Sequence, residues 1–553
     1  MNKGQNDELL FVPLGGAGEI GMNLNLYGLG RPGKEDWIMI DLGITFGDGT
    51  TPGVDVILPD PAFIAKRRDR LVGLLLTHAH EDHLGAVPYL WERLRCPIYA
   101  TPFTAAVLRR KLSEVDLLRT TPITEVPLGG RFNVGPFDLE LITLTHSIPE
   151  PNAVAIRTPL GTVLHTGDWK FDPDPVVGPT ADEAALNHLG DDGVLALVGD
   201  STNALVPGTT GSEGELLKTL TEIIKGGKAR VAVACFASNV ARLETIATAA
   251  AAGDRDVVVA GRSLKRFEAA ARETGYLADV RPFIDEADAG TVPKDKMLVI
   301  CTGSQGEPRA ALSRIAAGNH PNIALETGDR IIFSSRVIPG NETSVSGLQN
   351  QLAQGGVEIF TWKDAPVHVS GHPARDELAR MYTLTRPSVA VPVHGEARHL
   401  IEHARLARAC QVPQTIFALN GTVVRLAPGE AAAIDTVPSG HLVLEGNRVV
   451  TANGEMIRGR VRALYNGTAL ITVAFNGKGG LAGKPQLTTI GLLDEGEEAI
   501  ADDVISAVRT VVKKLGGTSD DEALREAVRL AVRRTFRMLL NKKPMTKVHL
   551  VRL

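Results

Sequence analysis

The chain has 553 residues, 44% of them hydrophobic and 22% charged, with a formal net charge of −5. That length exceeds what one hydrophobic core organises and calls for about three or four domains. The composition is that of a soluble globular protein, and the acidic average argues against a nonspecific polyanion binder.

Four cysteines, Cys96, Cys235, Cys301 and Cys410, are widely separated and form no C-x-x-C pair, the pattern of reduced thiols. The start, Met1-Asn2-Lys3-Gly4-Gln5-Asn6-Asp7, carries no basic-then-apolar export pattern, and no apolar run is long enough to span a bilayer. A cytoplasmic protein without a membrane partner is expected.

The first element in the chain is a decoy. Gly16-Ala17-Gly18-Glu19-Ile20-Gly21 has the G-x-G-x-x-G spacing of a dinucleotide site. Such a site needs a helix next, whose N-terminus holds the pyrophosphate. Met22-Asn23-Leu24-Asn25-Leu26-Tyr27 alternates like a strand instead, so the glycines are expected to turn a hairpin and no nicotinamide cofactor is assigned.

The strand-like run Trp37-Ile38-Met39-Ile40 then ends in Asp41, and Leu71-Val72-Gly73-Leu74-Leu75-Leu76 runs into Thr77-His78-Ala79-His80-Glu81-Asp82-His83. That second junction is the most informative stretch of the chain. His78 and His80 have the period-2 spacing that puts both on one side of an extended segment. Asp82 and His83 fall where the chain would bend into a helix, placed to face a second ion beside the first. Imidazole with carboxylate suits zinc, with manganese as the alternative.

Three later strands each end in one ligand-type side chain: Leu141-Ile142-Thr143-Leu144-Thr145-His146, Thr162-Val163-Leu164-His165-Thr166-Gly167-Asp168, and Val389-Ala390-Val391-Pro392-Val393-His394. Taken singly these are polar strand ends. Together with the H-x-H-x-D-H cluster they make a set of seven ligands.

Strands and helices alternate up to Gly193-Val194-Leu195-Ala196-Leu197-Val198-Gly199-Asp200. A helical pattern follows near 213–225, then V-A-V-A-C-F-A-S-N at 231–239 and D-V-V-V-A-G-R-S at 256–263. Strand, Gly/Ser turn and helix in repetition predict parallel α/β units. Thr436-Val437-Pro438-Ser439-Gly440 has linker composition. Beyond about 455, A-L-I-T-V-A-F, an amphipathic helix near 500–515 and the closing K-V-H-L-V-R-L predict a small α+β domain. Residues 521–553 hold nine Arg/Lys against three Asp/Glu, and Arg525, Arg529, Arg533 and Arg537 recur every fourth position. A solvated face beside Leu524, Val528, Ala531 and Leu539 is the plainer account; a stripe facing RNA or another subunit is the sharper one.

The H-x-H-x-D-H cluster, the lone His146, Asp168 after T-G and the distant His394 resemble the metallo-β-lactamase superfamily. Within it, L-G-G-A-G-E-I-G-M-N, T-G-D-W-K-F-D-P, G-D-S-T-N-A, C-T-G-S-Q-G-E-P, H-V-S-G-H and P-V-H-G-E are similar to the β-CASP nucleases, and among these to the bacterial ribonuclease J family. The resemblance implies an α/β fold: a metallo-β-lactamase αββα sandwich (1–209 and 366–435) interrupted by a β-CASP α/β domain (210–365). A linker (436–455) and a small C-terminal α+β oligomerisation domain (456–553) would follow.

It also implies roles. His78, His80 and His146 would hold one divalent cation, Asp82, His83 and His394 another, with Asp168 shared. Such a pair activates water and clamps the attacking and leaving oxygens at phosphorus. Asp41 matches a motif position that orients ligands through hydrogen bonds; an ordinary strand-end Asp reads equally well. His372, supported by Asp200, is the catalytic candidate beyond the ligands, as a proton source for the leaving oxygen. Phe236, Ala237, Ser238 and Asn239, with His368, Val369, Ser370, Gly371 and His372, would grip an RNA 5′-monophosphate; Ser238 alone would read as a helix N-cap. The turn Thr302-Gly303-Ser304-Gln305-Gly306 would be a further backbone contact.

The implied activity is 5′-to-3′ exonucleolytic and endonucleolytic cleavage of single-stranded RNA in RNA maturation and decay. Its partners would be a homodimer or homotetramer mate and RNA-decay proteins. His394 stands where RNA-cutting relatives carry His and DNA-cutting ones an aliphatic residue. A DNA-processing nuclease, a small-substrate hydrolase and a catalytically silent scaffold are the alternatives.

Overall fold

The computed structural model describes residues 7–47, 49–338, 340–515 and 520–553. Residues 1–6, most of the stretch read for an export signal, lie outside them. The chain separates into two compact units, Met1–Thr45 with Leu58–Gly440, and Phe46–Ile57 with His441–Leu553. Among the described residues no helix is long and apolar enough to cross a membrane, and all four cysteines are free.

The first unit holds a sandwich of two mixed sheets. One has eight strands and includes Glu8–Gly15, Leu24–Gly30, Asp36–Ile40 and Leu71–Leu75 side by side. The other has seven and includes Phe137–Thr143, Asn152–Thr158, Gly161–His165, Ala196–Asp200 and Val389–Val393. Their facing sides share one core, in which Phe11, Tyr27, Ile38, Ile40 and Leu75 meet Leu139, Leu141, Val154, Ile156, Val198 and Val391. The outer face of the second sheet is covered by another cluster that includes Leu186, Leu378, Met381 and Ala407 from helices. This is the layered arrangement expected of strands that are apolar on both faces.

Ala196–Asp200 and Val389–Val393 are neighbouring parallel strands although almost two hundred positions separate them in sequence. Between them the chain builds a six-stranded parallel sheet, ordered Ile284–Asp285, Asp256–Ala260, Met297–Cys301, Val231–Ala234, Arg330–Phe333, Glu358–Phe360. Separate apolar clusters cover its two faces. The glycine run at 16–21 lies between the antiparallel strands Glu8–Gly15 and Leu24–Gly30, so no helix follows it.

In the second unit, Thr468–Phe475 pairs antiparallel with Gln486–Ile490 and parallel with Met545–Arg552. Its residues alternate between half-buried and buried, and Ala469, Ile471, Val473 and Phe475 pack with Val504, Val508, Leu524, Val528 and Phe536 of helices Glu498–Leu515 and Asp521–Leu540. The arginine stripe is partly answered on its own helix, where Arg525 and Arg529 pair with Asp521 and Glu526.

The stretch 436–455 differs from the expected linker. His441–Glu445 and Arg448–Thr451 form a hairpin, with Glu445 opposite Arg448. The two residues between them are Gly446, at φ +57°, and Asn447, a glycine-containing two-residue loop of the kind that closes hairpins. The Pro438 and Gly440 nearby masked that signal.

Candidate metal centre

Parallel strands deliver the candidate residues to one place. Asp36–Ile40 and Leu71–Leu75 run parallel in the first sheet, so Asp41 and the loop carrying His78 leave from the same edge. Gly161–His165, Ala196–Asp200 and Val389–Val393 run parallel in the second, so Asp168, Asp200 and His394 leave together. Convergence of loops beyond the carboxyl ends of parallel strands is the usual way such sheets build a site. His80 caps the short helix Glu81–Leu84, which turns Asp82 and His83 inward.

Two four-residue groups result, each with ligand atoms mutually within 4.8 Å: His78, His80, His146 and Asp168, and Asp82, His83, Asp168 and His394. Asp168 is common to both. Its Oδ2 lies 3.9 Å from His78 Nε2, 3.7 Å from His146 Nε2, 3.1 Å from His83 Nε2 and 3.4 Å from His394 Nε2. All these residues are buried except His80 and Asp82, which are half-buried.

Hydrogen bonding fixes which ring nitrogens face inward. His83 Nδ1 donates to Asp41 Oδ2 at 2.7 Å, and His146 Nδ1 donates to the Gly371 carbonyl at 2.5 Å. Thr77 Oγ1 donates to Asp41 Oδ2 at 2.8 Å, so it accepts from His78 Nδ1, 3.0 Å away. A neutral imidazole carries one N–H, which leaves Nε2 of His78 and His146 as lone pairs aimed at the centre, and Nε2 of His83 as one when that ring gives up its second proton. His78 Nε2 and His146 Nε2 each lie 3.0 Å from His80 Nδ1. One ring proton cannot serve three nitrogens; a cation can. At the second position His394 Nε2 and Asp168 Oδ1 are buried with no hydrogen-bond partner among the described residues. Inward lone pairs, two carboxylates and orphaned buried atoms fit a pair of divalent ions.

Charge follows the same division. Burial pushes His78 and His146 well below the ordinary imidazole range and His80 down to about 3, aided by the neighbouring rings. These three stay neutral. Burial works against charge at His83 and His394 too, but Asp168 outweighs it, with Asp82 and Asp41 at His83 and Asp200 at His394, and both rings are raised. Asp168 is held well below the carboxylate range because His394, His83 and His372 outweigh its burial. Protons at this position are what cation loading would release.

His372 and Asp200 form a third group with Asp168 and His394, yet their inward atoms are already used. His372 Nδ1 donates to Asp200 Oδ2 at 2.8 Å, while Asp200 Oδ1 accepts from the Thr202 amide. Burial lowers the His372 pKa, but Asp200 and Asp168 raise it to about 9. Those two carboxylates favour the charged ring, and among the described residues no hydrogen bond engages its Nε2.

Sequence reasoning missed Asn23. Its Nδ2 lies 3.1 Å from His83 Nε2, and its Oδ1 lies 3.2 Å from His394 Nδ1, so one amide touches two of the rings. The signal was present in G-E-I-G-M-N, whose glycines were read only as a turn. The Gly16 carbonyl accepts the His394 amide at 2.6 Å. Thr77 was missed as well.

In the proposed phosphate segment, Asn239 and not Ser238 caps the helix Val240–Ala252, accepting from the Arg242 amide. The Ser238 hydroxyl is left half-buried at the turn. Ser370 Oγ accepts from Asn203 Nδ2 at 2.9 Å and from the His372 amide, which fixes the turn before His372. His368 is pressed below the ordinary range by burial and by Arg242, Lys170 and Arg336, and its Nδ1 has no partner among the described residues.

Profiles of four domain families match the chain in order: the metallo-beta-lactamase superfamily at 26–233, the Ribonuclease J beta-CASP domain at 228–352, the Zn-dependent metallo-hydrolase RNA specificity domain at 365–413, and the Ribonuclease J C-terminal domain at 455–553. A Sinorhizobium meliloti protein named Ribonuclease J is 45% identical over 552 residues, covering 99% of this chain and 98% of its own. The chain belongs to the ribonuclease J family. Ribonuclease J of Mycolicibacterium smegmatis is 41% identical over 494 residues, 88% of this chain and 87% of its own. A crystal structure of a protein of unknown function from Enterococcus faecalis shares the fold, with a TM-score of 0.52 at 17% identity over 76% of this chain and 100% of that one. A metallo-β-lactamase domain with an inserted β-CASP domain and a C-terminal domain is thus the architecture of this ribonuclease J family member, and the family is one of metal-dependent ribonucleases.

Proposed function

We propose that this chain hydrolyses single-stranded RNA at a two-cation centre, releasing nucleotides 5′ to 3′ from a 5′-monophosphorylated end and also cutting internally. The observation that carries the reading is Asp168: one buried carboxylate stands between three imidazoles on one side and Asp82, His83 and His394 on the other. His78, His80 and His146 would hold one ion and Asp82, His83 and His394 the other, with Asp168 available to both. Nitrogen-rich donors favour zinc, with manganese the second choice.

Two divalent cations supply Lewis acidity and lower the pKa of water towards ~7. The protein's own groups do the rest. Asp41, Thr77, Asn23 and the Gly371 carbonyl orient the rings. As water gives up a proton to solvent and attacks phosphorus, the bond to the 3′-oxygen breaks and His372 Nε2 gives that oxygen its proton, leaving a 5′-phosphate and a 3′-hydroxyl; the ring regains a proton from solvent. Asp200 keeps the ring charged until then. Segments 236–239 and 368–371 offer backbone N–H groups and the Ser238 hydroxyl to the terminal phosphate. His394 favours RNA over DNA. A cytoplasmic homodimer or homotetramer, working with other RNA-decay proteins, completes the proposal.

The test is digestion of RNA bearing 5′-triphosphate, 5′-monophosphate or 5′-hydroxyl ends, labelled at either terminus. Release of mononucleotides chiefly from the monophosphate substrate supports the full reading. Equal internal cutting of all three removes the exonuclease part, and no cutting in the presence of zinc or manganese removes the whole.

A further inference from the structure

The parallel sheet of the inserted domain has a second feature on the edge that serves the site. Strands Val231–Ala234, Arg330–Phe333 and Glu358–Phe360 lie side by side and end at one edge. The first leads into Phe236, Ala237, Ser238 and Asn239, the second into Arg336, and the third into Trp362 and Lys363 before the chain reaches His368. Adjacent strands are about 4.8 Å apart, so the Trp362 strand is about 10 Å from the Ser238 strand.

Trp362 is 42% exposed, whereas Trp37, Trp91 and Trp169 are 2%, 6% and 1% exposed. The Arg336 guanidinium lies 5.4 Å and the Lys363 ammonium 5.9 Å from its ring centroid. Neither basic side chain is held in an ion pair among the described residues, and Asp364 is the acidic neighbour of Lys363. The turn is held in place: Asp364 Oδ2 accepts from the Thr361 amide at 2.8 Å and from Thr361 Oγ1 at 2.7 Å. Arg330 packs over the Phe360 ring just before it.

An exposed indole on a hydrogen-bonded turn, flanked by two cations that no ion pair holds among the described residues, has the parts of a base-stacking platform for single-stranded nucleic acid. An apolar protein partner has no use for two cations, whereas a base between two phosphates uses all three groups. We infer that Trp362, with Arg336 and Lys363, stacks on a nucleobase of the bound RNA and grips the adjoining phosphates. This subsite rests on the RNA reading proposed above and deepens it.

The other tryptophans are buried, so contact quenching by a bound base acts on this one, and Trp362→Phe should abolish it. The probes are phosphorothioate-linked oligo-uridine and an abasic ribose-phosphate strand of equal length, added to the full chain. Quenching by oligo-uridine and not by the abasic strand is expected. Trp362→Ala should weaken oligo-uridine binding about tenfold by anisotropy, and Trp362→Phe should recover most of it. Equal quenching by both strands, or RNA bound without quenching, overturns the platform and leaves this surface to a protein partner. A chain that cuts RNA without quenching keeps the ribonuclease reading and loses the platform. One that quenches but never cuts does the reverse. Should Trp362→Ala not fold, the wild-type comparison of the two strands decides alone.

Discussion

Asp41 Oδ2 lies 2.7 Å from His83 Nδ1, and both groups are buried. The carboxylate also accepts from the Thr77 amide and hydroxyl, each at 2.8 Å, so it ties His83 to the residue preceding His78. Asp41 adopts φ +64°, a strained backbone that the surrounding bonds must hold. Exchanging Asp41 for Asn keeps the size and removes the charge that selects the His83 tautomer. Asp41→Asn is expected to bind metal on the order of 10- to 100-fold more weakly, measured by competition with a chelating dye. Wild-type affinity in that variant would reduce Asp41 to an ordinary strand end.

Gly371 approaches His146 so closely that a Cβ there would stand 2.6 Å from the ring's Nδ1 and Cε1. Its φ is not positive, so proximity and not backbone freedom requires the glycine. Gly371→Ala should displace His146 or the turn carrying His372 and lower kcat on the order of 10²-fold with the fold retained, as steady-state kinetics and circular dichroism would report. Near-normal kcat would mean the turn yields without cost.

The His372–Asp200 pair sets a pH dependence. Asp200 and Asp168 raise His372 to about 9 against its burial, so the ring is a proton donor below that value and ceases to be one above it. Bound cations pull the same pKa downward, so the alkaline limb of kcat falls at or below about 9. Asp200→Asn removes the larger of the two attractive charges and should move that limb to lower pH. A limb in the same place in both proteins would assign it to another group.

His403 makes an independent prediction about stability. It is buried, with Ser201 Oγ 2.8 Å from Nδ1 and Tyr382 OH 2.8 Å from Nε2, and burial lowers its pKa to about 4. The unfolded chain takes up this proton first, near pH 6.5. The contribution is therefore full above 6.5 and is lost as the pH falls towards 4. Between pH 7 and 5 the loss is about 2 kcal/mol. Urea unfolding at these two values should show a smaller change for His403→Gln than for the wild type. Equal changes would mean His403 is not buried in its neutral form.

The candidate ligands were legible because they stand beyond the ends of apolar strands or, for Asp82 and His83, in the short helix that follows one. His78, His80 and His83 are also close in sequence, and convergence with His146, Asp168 and His394 came from the family pattern. What sequence could not supply is contact between distant segments. Asn23 reaches His394 across 371 positions, and His146 meets Gly371 across 225. Such pairs depend on how two sheets stack. Local chemistry misled twice: Ser238 resembles a cap that Asn239 provides, and proline and glycine near 440 concealed the hairpin His441–Glu445 and Arg448–Thr451.

The most direct test of the two-cation centre is anomalous diffraction from crystals grown with zinc, recorded on both sides of the metal edge. Two peaks about 3.5–4 Å apart are predicted, with the Asp168 carboxylate between them and His394 Nε2 against one. A single peak, or two peaks with Asp168 bound to neither, would contradict the account.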